Sequence, residues 1–172
     1  MSGKTLLTSI VCGLMILIAQ PKSAVAAAPT MAGSWELNFT PNAPPTTPVV
    51  PIPGLATFTT DGSVVETDGS ELAPGVPASS GTPTYASPGH GIWQLLPALT
   101  GFYISYASLV VNADGSLNSK NVTVATGTVT TGSNGTVFNG EYTTTSTGPA
   151  GTPPTTTTGK LTGQLIPHPA LP

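Results

Sequence analysis

Arginine is absent from this 172-residue sequence, and lysine occurs only four times. Lys4 and Lys22 precede residue 27, so residues 27–172 carry only Lys120 and Lys160 against seven carboxylates, a net charge of −5. A nucleic-acid-binding surface needs clustered Lys or Arg to displace counterions from phosphates. Attraction to anionic lipid headgroups depends on the same residues. The composition therefore excludes nucleic acid as a partner and gives residues 27–172 no membrane-surface patch.

Cysteine is limited to Cys12, near the start of the chain. The sequence beyond it has no disulfide framework and no thiolate nucleophile. It also contains no phosphate loop, dinucleotide fingerprint, Cys/His zinc spacing or G-x-S-x-G nucleophile motif. We therefore expect no cofactor, and the familiar hydrolytic and redox mechanisms are disfavoured.

The first 26 residues have the three regions of a signal peptide. Lys4 supplies the positive charge, residues 6–19 form an apolar run, and an A-x-A cleavage site ends at Ala26. An uncleaved anchor is the competing interpretation, but a spanning helix needs roughly 18 or more apolar residues. We expect cleavage near Ala26, a single domain over residues 27–172, no membrane association after cleavage, and a secreted or periplasmic location.

Short runs of Thr, Val, Tyr and Phe, separated by Gly, Pro, Asn and Asp, predict an all-β domain. Trp35, Leu37 and Phe39 alternate with polar neighbours, which is typical of a half-buried strand. The predicted strands are 34–40, 55–60, 63–68, 92–96, 102–112, 117–131, 136–146 and 155–166.

The segments between these strands predict their connections. Asp61-Gly62 suits a tight hairpin turn, and residues 113–116 and 133–135 have similar composition. The proline-rich residues 41–53 predict an extended loop or an edge segment. Residues 69–91 form the longest predicted loop, of a length that is usually functional or disordered.

About eight strands joined mostly by hairpin-length turns favour an antiparallel, up-and-down arrangement. Closure into a barrel would remove the exposed edges that invite aggregation, and it would enclose a small interior. A two-sheet β-sandwich is the alternative, because strand count alone does not separate the two architectures.

Gly33, Ser34 and Trp35, at the start of the first strand, resemble the G-x-W motif of lipocalins and related calycins. Segments 57–63 and 87–93 are similar to those of exported bacterial lipocalin-like proteins. The resemblance implies a barrel that is closed at one end by Trp35 and binds ligands through the other. Lipocalins also pack a late arginine across this tryptophan, and Lys160 is the only cation on the last strand that could replace it.

Aromatic residues could line a ligand cavity or fill a solid core. The set is Trp35, Phe39, Phe58, Trp93, Phe102, Tyr103, Tyr106, Phe138 and Tyr142. His90 is a candidate polar anchor, because flanking glycines would let it turn toward a barrel mouth. The alternative is that residues 88–91 form a turn with the imidazole bonded to backbone. The candidate ligand-binding residues are therefore Phe58, His90, Trp93, Tyr103 and Tyr106.

Four carboxylates, Asp61, Glu66, Asp68 and Glu71, lie within eleven residues and raise the question of a calcium site. Their spacing does not match an EF-hand loop, and Asp-Gly-Ser triplets are better explained as turns. We therefore expect no metal. His168 is interpreted as an exposed residue of the C-terminal tail.

The leading functional hypothesis is an exported lipocalin-like barrel that binds a small apolar or amphipathic ligand. Its mouth is predicted beside the 69–91 loop, with His90 and Trp93 nearby. One alternative is a cofactor-free barrel enzyme of the cyclase or isomerase kind, with His90 or Tyr106 transferring a proton. The other is a structural or surface-interaction module with a filled core.

Overall fold

The computed structural model of the protein describes residues 30–44, 48–69, 83–97 and 100–167. The predicted signal peptide lies outside them. In the described part of the chain, no helix is long and apolar enough to cross a membrane. The strands are β1 (Gly33–Pro41), β2 (Ile52–Phe58), β3 (Ser63–Asp68), β4 (Thr84–Ala86), β5 (Gly89–Leu95), β6 (Gly101–Asn112), β7 (Leu117–Gly132), β8 (Gly135–Thr147) and β9 (Thr155–Leu165).

Eight of these nine strands form a closed barrel. Each strand of the ring pairs antiparallel with the next in the order β1, β2, β3, β5, β6, β7, β8 and β9, and β9 pairs with β1. The predicted up-and-down barrel is confirmed, and the β-sandwich alternative is wrong. Of the proline-rich residues 41–53, Pro41 ends β1, Ile52 and Pro53 begin β2, and the described residues 42–44 and 48–51 between them are not in a strand.

β4 and β5 both pair with β6, one after the other along the same edge of that strand. It pairs with Val110–Asn112, whereas β5 pairs with residues 102–107 of the same strand. Pro88, which has no backbone N–H, lies at the interruption. Ser87 bridges it: its N–H donates to the Leu109 carbonyl at 2.8 Å, and its hydroxyl accepts from the Leu109 N–H at 3.0 Å. The predicted loop at residues 69–91 is too long, because residues 84–86 and 89–91 lie in β4 and β5.

The two Asp-Gly turns form as predicted. Asp61 accepts a hydrogen bond from the Ser63 N–H at 3.1 Å, and Gly62 has a φ of 90°. Asp114 accepts from the Ser116 N–H at 2.9 Å, and Gly115 has a φ of 82°. In each turn, hydrogen bonds to the carboxylate lower the pKa of the aspartate.

One end of the barrel is filled by a solid aromatic core. Trp35 is fully buried, its ring centroid lies 5.0 Å from that of Phe138 and 6.3 Å from that of Phe58, and Phe138 packs on Phe102 at 5.0 Å. The indole N–H of Trp35 donates to the Met31 carbonyl at 2.8 Å. Met31 is itself fully buried, so it closes this end.

Lys160 does not replace the lipocalin arginine. It is exposed and pairs with Thr40 and Glu141, whereas Trp35 pairs with Leu165, five residues farther along β9. Because Leu161 on the next position faces the core, Lys160 faces outward. The hypothesis that Lys160 takes the place of the lipocalin arginine is therefore wrong, and Met31 contacts Trp35 instead.

Glycines on the inner face make room for the large rings. A Cβ built on Gly163 would come within 2.5 Å of the Phe138 ring, and one on Gly159 within 2.6 Å of the Tyr142 ring. A Cβ on Gly89 would likewise meet the Tyr106 ring, whereas one on Gly91 would meet the backbone of β6 at Ser105 and Tyr106. These two glycines suggested a loop in the sequence, but both lie in β5, where β6 occupies the space that a side chain would need.

Candidate functional site

A cavity of about 190 Å³ lies at the end of the barrel opposite Trp35. β1 and β3 end there, and β2 and β4 begin there. Unlike the aromatic core, its wall mixes rings, carboxylates, hydroxyls and an amide. Its described lining residues are Phe39, Pro41, Ile52, Glu66, Asp68, Ala86, Tyr106, Ser108, Asn121, Thr123, Tyr142, Thr144 and Thr157. We call this cavity the polar pocket.

Two carboxylates face the polar pocket from β3. Val64, Glu66 and Asp68 share the inner face of the strand because successive side chains alternate between faces. Glu66 is buried, with 2% of its surface exposed. It fits between two glycines: a Cβ built on Gly54 would lie 3.3 Å from Oε1, and one on Gly89 would lie 3.1 Å from Oε2.

Tyr106 on β6 lies beside Glu66 and is buried. Burial raises the pKa of Tyr106, the negative charges of Glu66 and Asp68 raise it further, and a hydrogen bond with Thr123 partly opposes them. Thr123 is also buried, and its hydroxyl lies 2.8 Å from that of Thr144. Tyr106 therefore stays protonated at neutral pH and acts there as a hydrogen-bond donor.

Phe39 and Tyr142 form another wall of the pocket. Their ring centroids lie 5.4 Å apart and their planes meet at 87°, an edge-to-face arrangement that aromatic pairs favour. Burial, followed by the negative charge of Asp68, raises the pKa of Tyr142. Asp68 thus acts electrostatically on both tyrosines of the site.

The charged side chains among the described residues that line the polar pocket, Glu66 and Asp68, are both acidic. No basic residue is among the described residues that line it. Lys120, Lys160 and His90 are all exposed on the barrel exterior. Residues 70–82, which follow β3 in sequence and lie outside the described residues, contain no Lys, Arg or His. The pocket therefore combines aromatic walls with two carboxylates, and no basic side chain is among the lining residues that the structure describes.

The five sequence-predicted ligand residues do not come together. Tyr106 lines the polar pocket, whereas Phe58 and Trp93 pack at the filled end, with ring centroids 6.2 Å apart. The indole N–H of Trp93 donates to the Thr59 carbonyl at 2.8 Å. His90 is exposed on the outer face of β5, and Tyr103 is half-buried on the outer face of β6.

The polar pocket does lie at the end of the barrel where the predicted loop begins. Asp68 and Ala86, on either side of the undescribed residues 70–82, both line it. The predicted position of the mouth relative to this loop stays a prediction, because most of the loop lies outside the described residues.

The sequence does not identify Glu66 and Asp68 as pocket residues, and it leaves Tyr142 among the aromatic residues that could line a cavity or fill the core. From the sequence, both carboxylates are candidates only for a calcium site that their spacing disfavours, and Asp68 is interpreted as part of a turn. Their alternation with Val64 contains the missing signal, because residues two and four positions from an inward apolar residue share its face. Within the described residues, no three His, Cys, Asp or Glu side chains come together in a group that could hold a metal.

No protein-family model matches this sequence, and no curated protein matches it significantly. The chain is therefore classified by its architecture: a closed, eight-stranded, antiparallel barrel of the lipocalin-like kind, with one end filled and a polar pocket at the other.

Proposed function

We propose that the protein is an exported binding barrel that holds a small amphipathic molecule in the polar pocket. The observation that carries this proposal is the contrast between the two ends of the interior. Trp35, Phe102 and Phe138 fill one end with large rings that are fully buried, whereas the other retains a cavity of about 190 Å³. Among the residues that the structure describes, the interior cavity therefore lies at the second end.

The composition of the wall supports an amphipathic ligand over a purely apolar one. Ligand sites combine apolar surface with a few placed polar groups that fix orientation. Phe39 and Ile52 supply apolar surface, while Glu66, Tyr106 and Thr144 supply polar atoms. The volume is below the roughly 300–1,000 Å³ typical of sites for drug-sized ligands, so the ligand is small.

Export is the second part of the proposal. The charged, apolar and small-residue regions of residues 1–26 support it, in the order a signal peptide requires. N-terminal sequencing of protein recovered outside the cytoplasm checks it: the expected mature chain starts near Ala27, and a chain that starts at Met1 contradicts it.

A barrel enzyme is a second candidate, and one observation favours it. Glu66 and Tyr106 lie side by side at the pocket, a carboxylate beside a protonated phenol, which are groups able to exchange protons with a substrate. Under this alternative, a ligand incubated with the protein is converted. Recovery of the ligand chemically unchanged favours the binding protein.

Native mass spectrometry of the mature protein, purified without denaturation, tests the binding function. We expect a bound molecule of small mass in the wild type and none in Ser108→Phe, because Ser108 lines the pocket and the larger ring would fill it. Ser105→Phe is the matched control, because Ser105 lies on the outer face of the same strand. Equal occupancy in both variants, or a ligand retained at the outer face, contradicts the proposal.

A further inference from the structure

We infer that the polar pocket selects a small organic cation, an amine that is protonated at neutral pH, over neutral and anionic molecules of the same shape. This inference rests on the proposed function and names its ligand class. It follows from three features of the described lining residues: two inward carboxylates, a right-angled pair of aromatic rings, and a small volume.

The carboxylates set the sign of the ligand charge. Glu66 and Asp68 both line the cavity, and no described lining residue is basic. An anionic ligand would meet like charges in a poorly solvated site, which disfavours its charged form. A cation there would gain Coulomb energy that is weakly screened, because Glu66 is almost fully removed from water.

The aromatic walls suit the same ligand. Phe39, Tyr106 and Tyr142 all contribute to the lining. An ammonium group within about 6 Å of a ring centroid is attracted by the negative face of the ring, more strongly when water is excluded. Since Phe39 and Tyr142 meet at 87°, they bound the cavity from two directions. The rings also provide apolar surface for the carbon skeleton of an amine.

Size limits the ligand further. A cavity of about 190 Å³ holds a molecule with one ring or a short chain, and it does not hold a fatty acid or a polycyclic compound. A single-ring primary amine fits these limits. The matched probes are therefore 2-phenylethylamine, the neutral 2-phenylethanol and the anionic 3-phenylpropanoate.

Isothermal titration calorimetry of the mature protein with these three probes, at pH 7 and low salt, tests the inference. We expect 2-phenylethylamine to bind at least about tenfold more tightly than 2-phenylethanol, and 3-phenylpropanoate to show no saturable heat. Glu66→Gln should weaken amine binding about tenfold and leave alcohol binding within about twofold. Glu141→Gln removes an equal charge from the exposed outer face of β8 and should change neither.

The outcomes separate the two proposals. If the alcohol binds as tightly as the amine, or if Glu66→Gln leaves their ratio unchanged, cation selection is overturned while small-molecule binding stands. If none of the three probes binds, cation selection is overturned, and native mass spectrometry decides the binding function separately. If Glu66→Gln fails to fold, Asp68→Asn replaces it, because Asp68 also lines the pocket and is only half-buried. The same loss of the amine-to-alcohol ratio is then expected, and an unchanged ratio overturns the inference.

Discussion

Gly91 on β5 lies directly opposite Tyr106 on β6, and a Cβ built on Gly91 would come within 2.5 Å of the Tyr106 Cα and 2.7 Å of its Cβ. The positions of Cα and Cβ are fixed by the backbone, so a change of the Tyr106 rotamer cannot relieve this clash. Gly91 thereby lets two strands approach at the point where Tyr106 enters the pocket wall.

Gly91→Ala should therefore destabilise the barrel by about 2–3 kcal/mol, at the upper end of the cost of overpacking. Urea unfolding followed by tryptophan fluorescence measures it. Gly132→Ala is the control, because a Cβ there meets nothing within 4 Å, and it should cost nothing or stabilise slightly. Equal stability of the two variants would show that β5 and β6 are not packed this closely.

The two tryptophans predict unequal effects of the same substitution. Each indole N–H donates to a carbonyl at 2.8 Å, Trp35 to Met31 and Trp93 to Thr59. Trp35→Phe leaves a buried carbonyl without its donor and creates a void, so it should cost about 3 kcal/mol or more. Trp93 is half-exposed and water can replace its bond, so Trp93→Phe should cost about 1 kcal/mol or less. Denaturant unfolding of both variants is the measurement, and a reversed order contradicts the closed end at Trp35.

The raised pKa of Tyr106 predicts a loss of stability at alkaline pH. Below the ordinary tyrosine pKa of about 10, the phenol is protonated in both the folded and the unfolded chain. In that range Tyr106 therefore adds no pH dependence to the free energy of unfolding. Above this pKa, the unfolded chain releases a proton that folded Tyr106 retains because of burial and the charges of Glu66 and Asp68. The free energy of unfolding should then fall by about 1.4 kcal/mol per pH unit from this residue.

Tyr106→Phe removes that contribution, and its unfolding free energy should fall less steeply than that of the wild type between pH 10 and 12. Denaturation curves at several pH values supply the slopes. The comparison uses slopes because the substitution also changes stability at neutral pH. Identical slopes in the two proteins would contradict a buried Tyr106 beside two carboxylates.

The sequence predicted the strands and turns well where the signal was local. Asp61-Gly62 and Asp114-Gly115 specify their turns through positive φ angles and carboxylate hydrogen bonds between near neighbours. The alternation of Trp35, Leu37 and Phe39 gave the inner face of β1. Such features need no knowledge of the partner strand.

The face of His90 could have been predicted but was not. His90 and Trp93 are three positions apart, so within one strand they face opposite sides. Because Trp93 packs against Phe58 in the interior, His90 must face outward. The error came from placing Gly89 and Gly91 in a loop, and only the position of Tyr106 on the neighbouring strand shows why glycine occupies a strand there.

The pocket itself depends on pairing between distant segments. Glu66 and Tyr106 are forty residues apart, and their contact follows from the register of β3 with β5 and of β5 with β6. Hydrophobic patterning assigns carboxylates to the solvent face by default. A buried glutamate that is accommodated by Gly54 and Gly89 is visible only once those strands are paired.

The most direct test of the central claim is a titration of the mature, isotopically labelled protein with 2-phenylethylamine, followed by methyl nuclear magnetic resonance spectra. Saturable shift changes are expected at Ile52, Ala86, Thr123 and Thr144, which line the polar pocket, and not at Met31 or Val129, which are buried at the filled end. Absence of saturable changes, or changes confined to outward methyls such as those of Val65 and Leu109, would contradict a ligand site inside this end of the barrel.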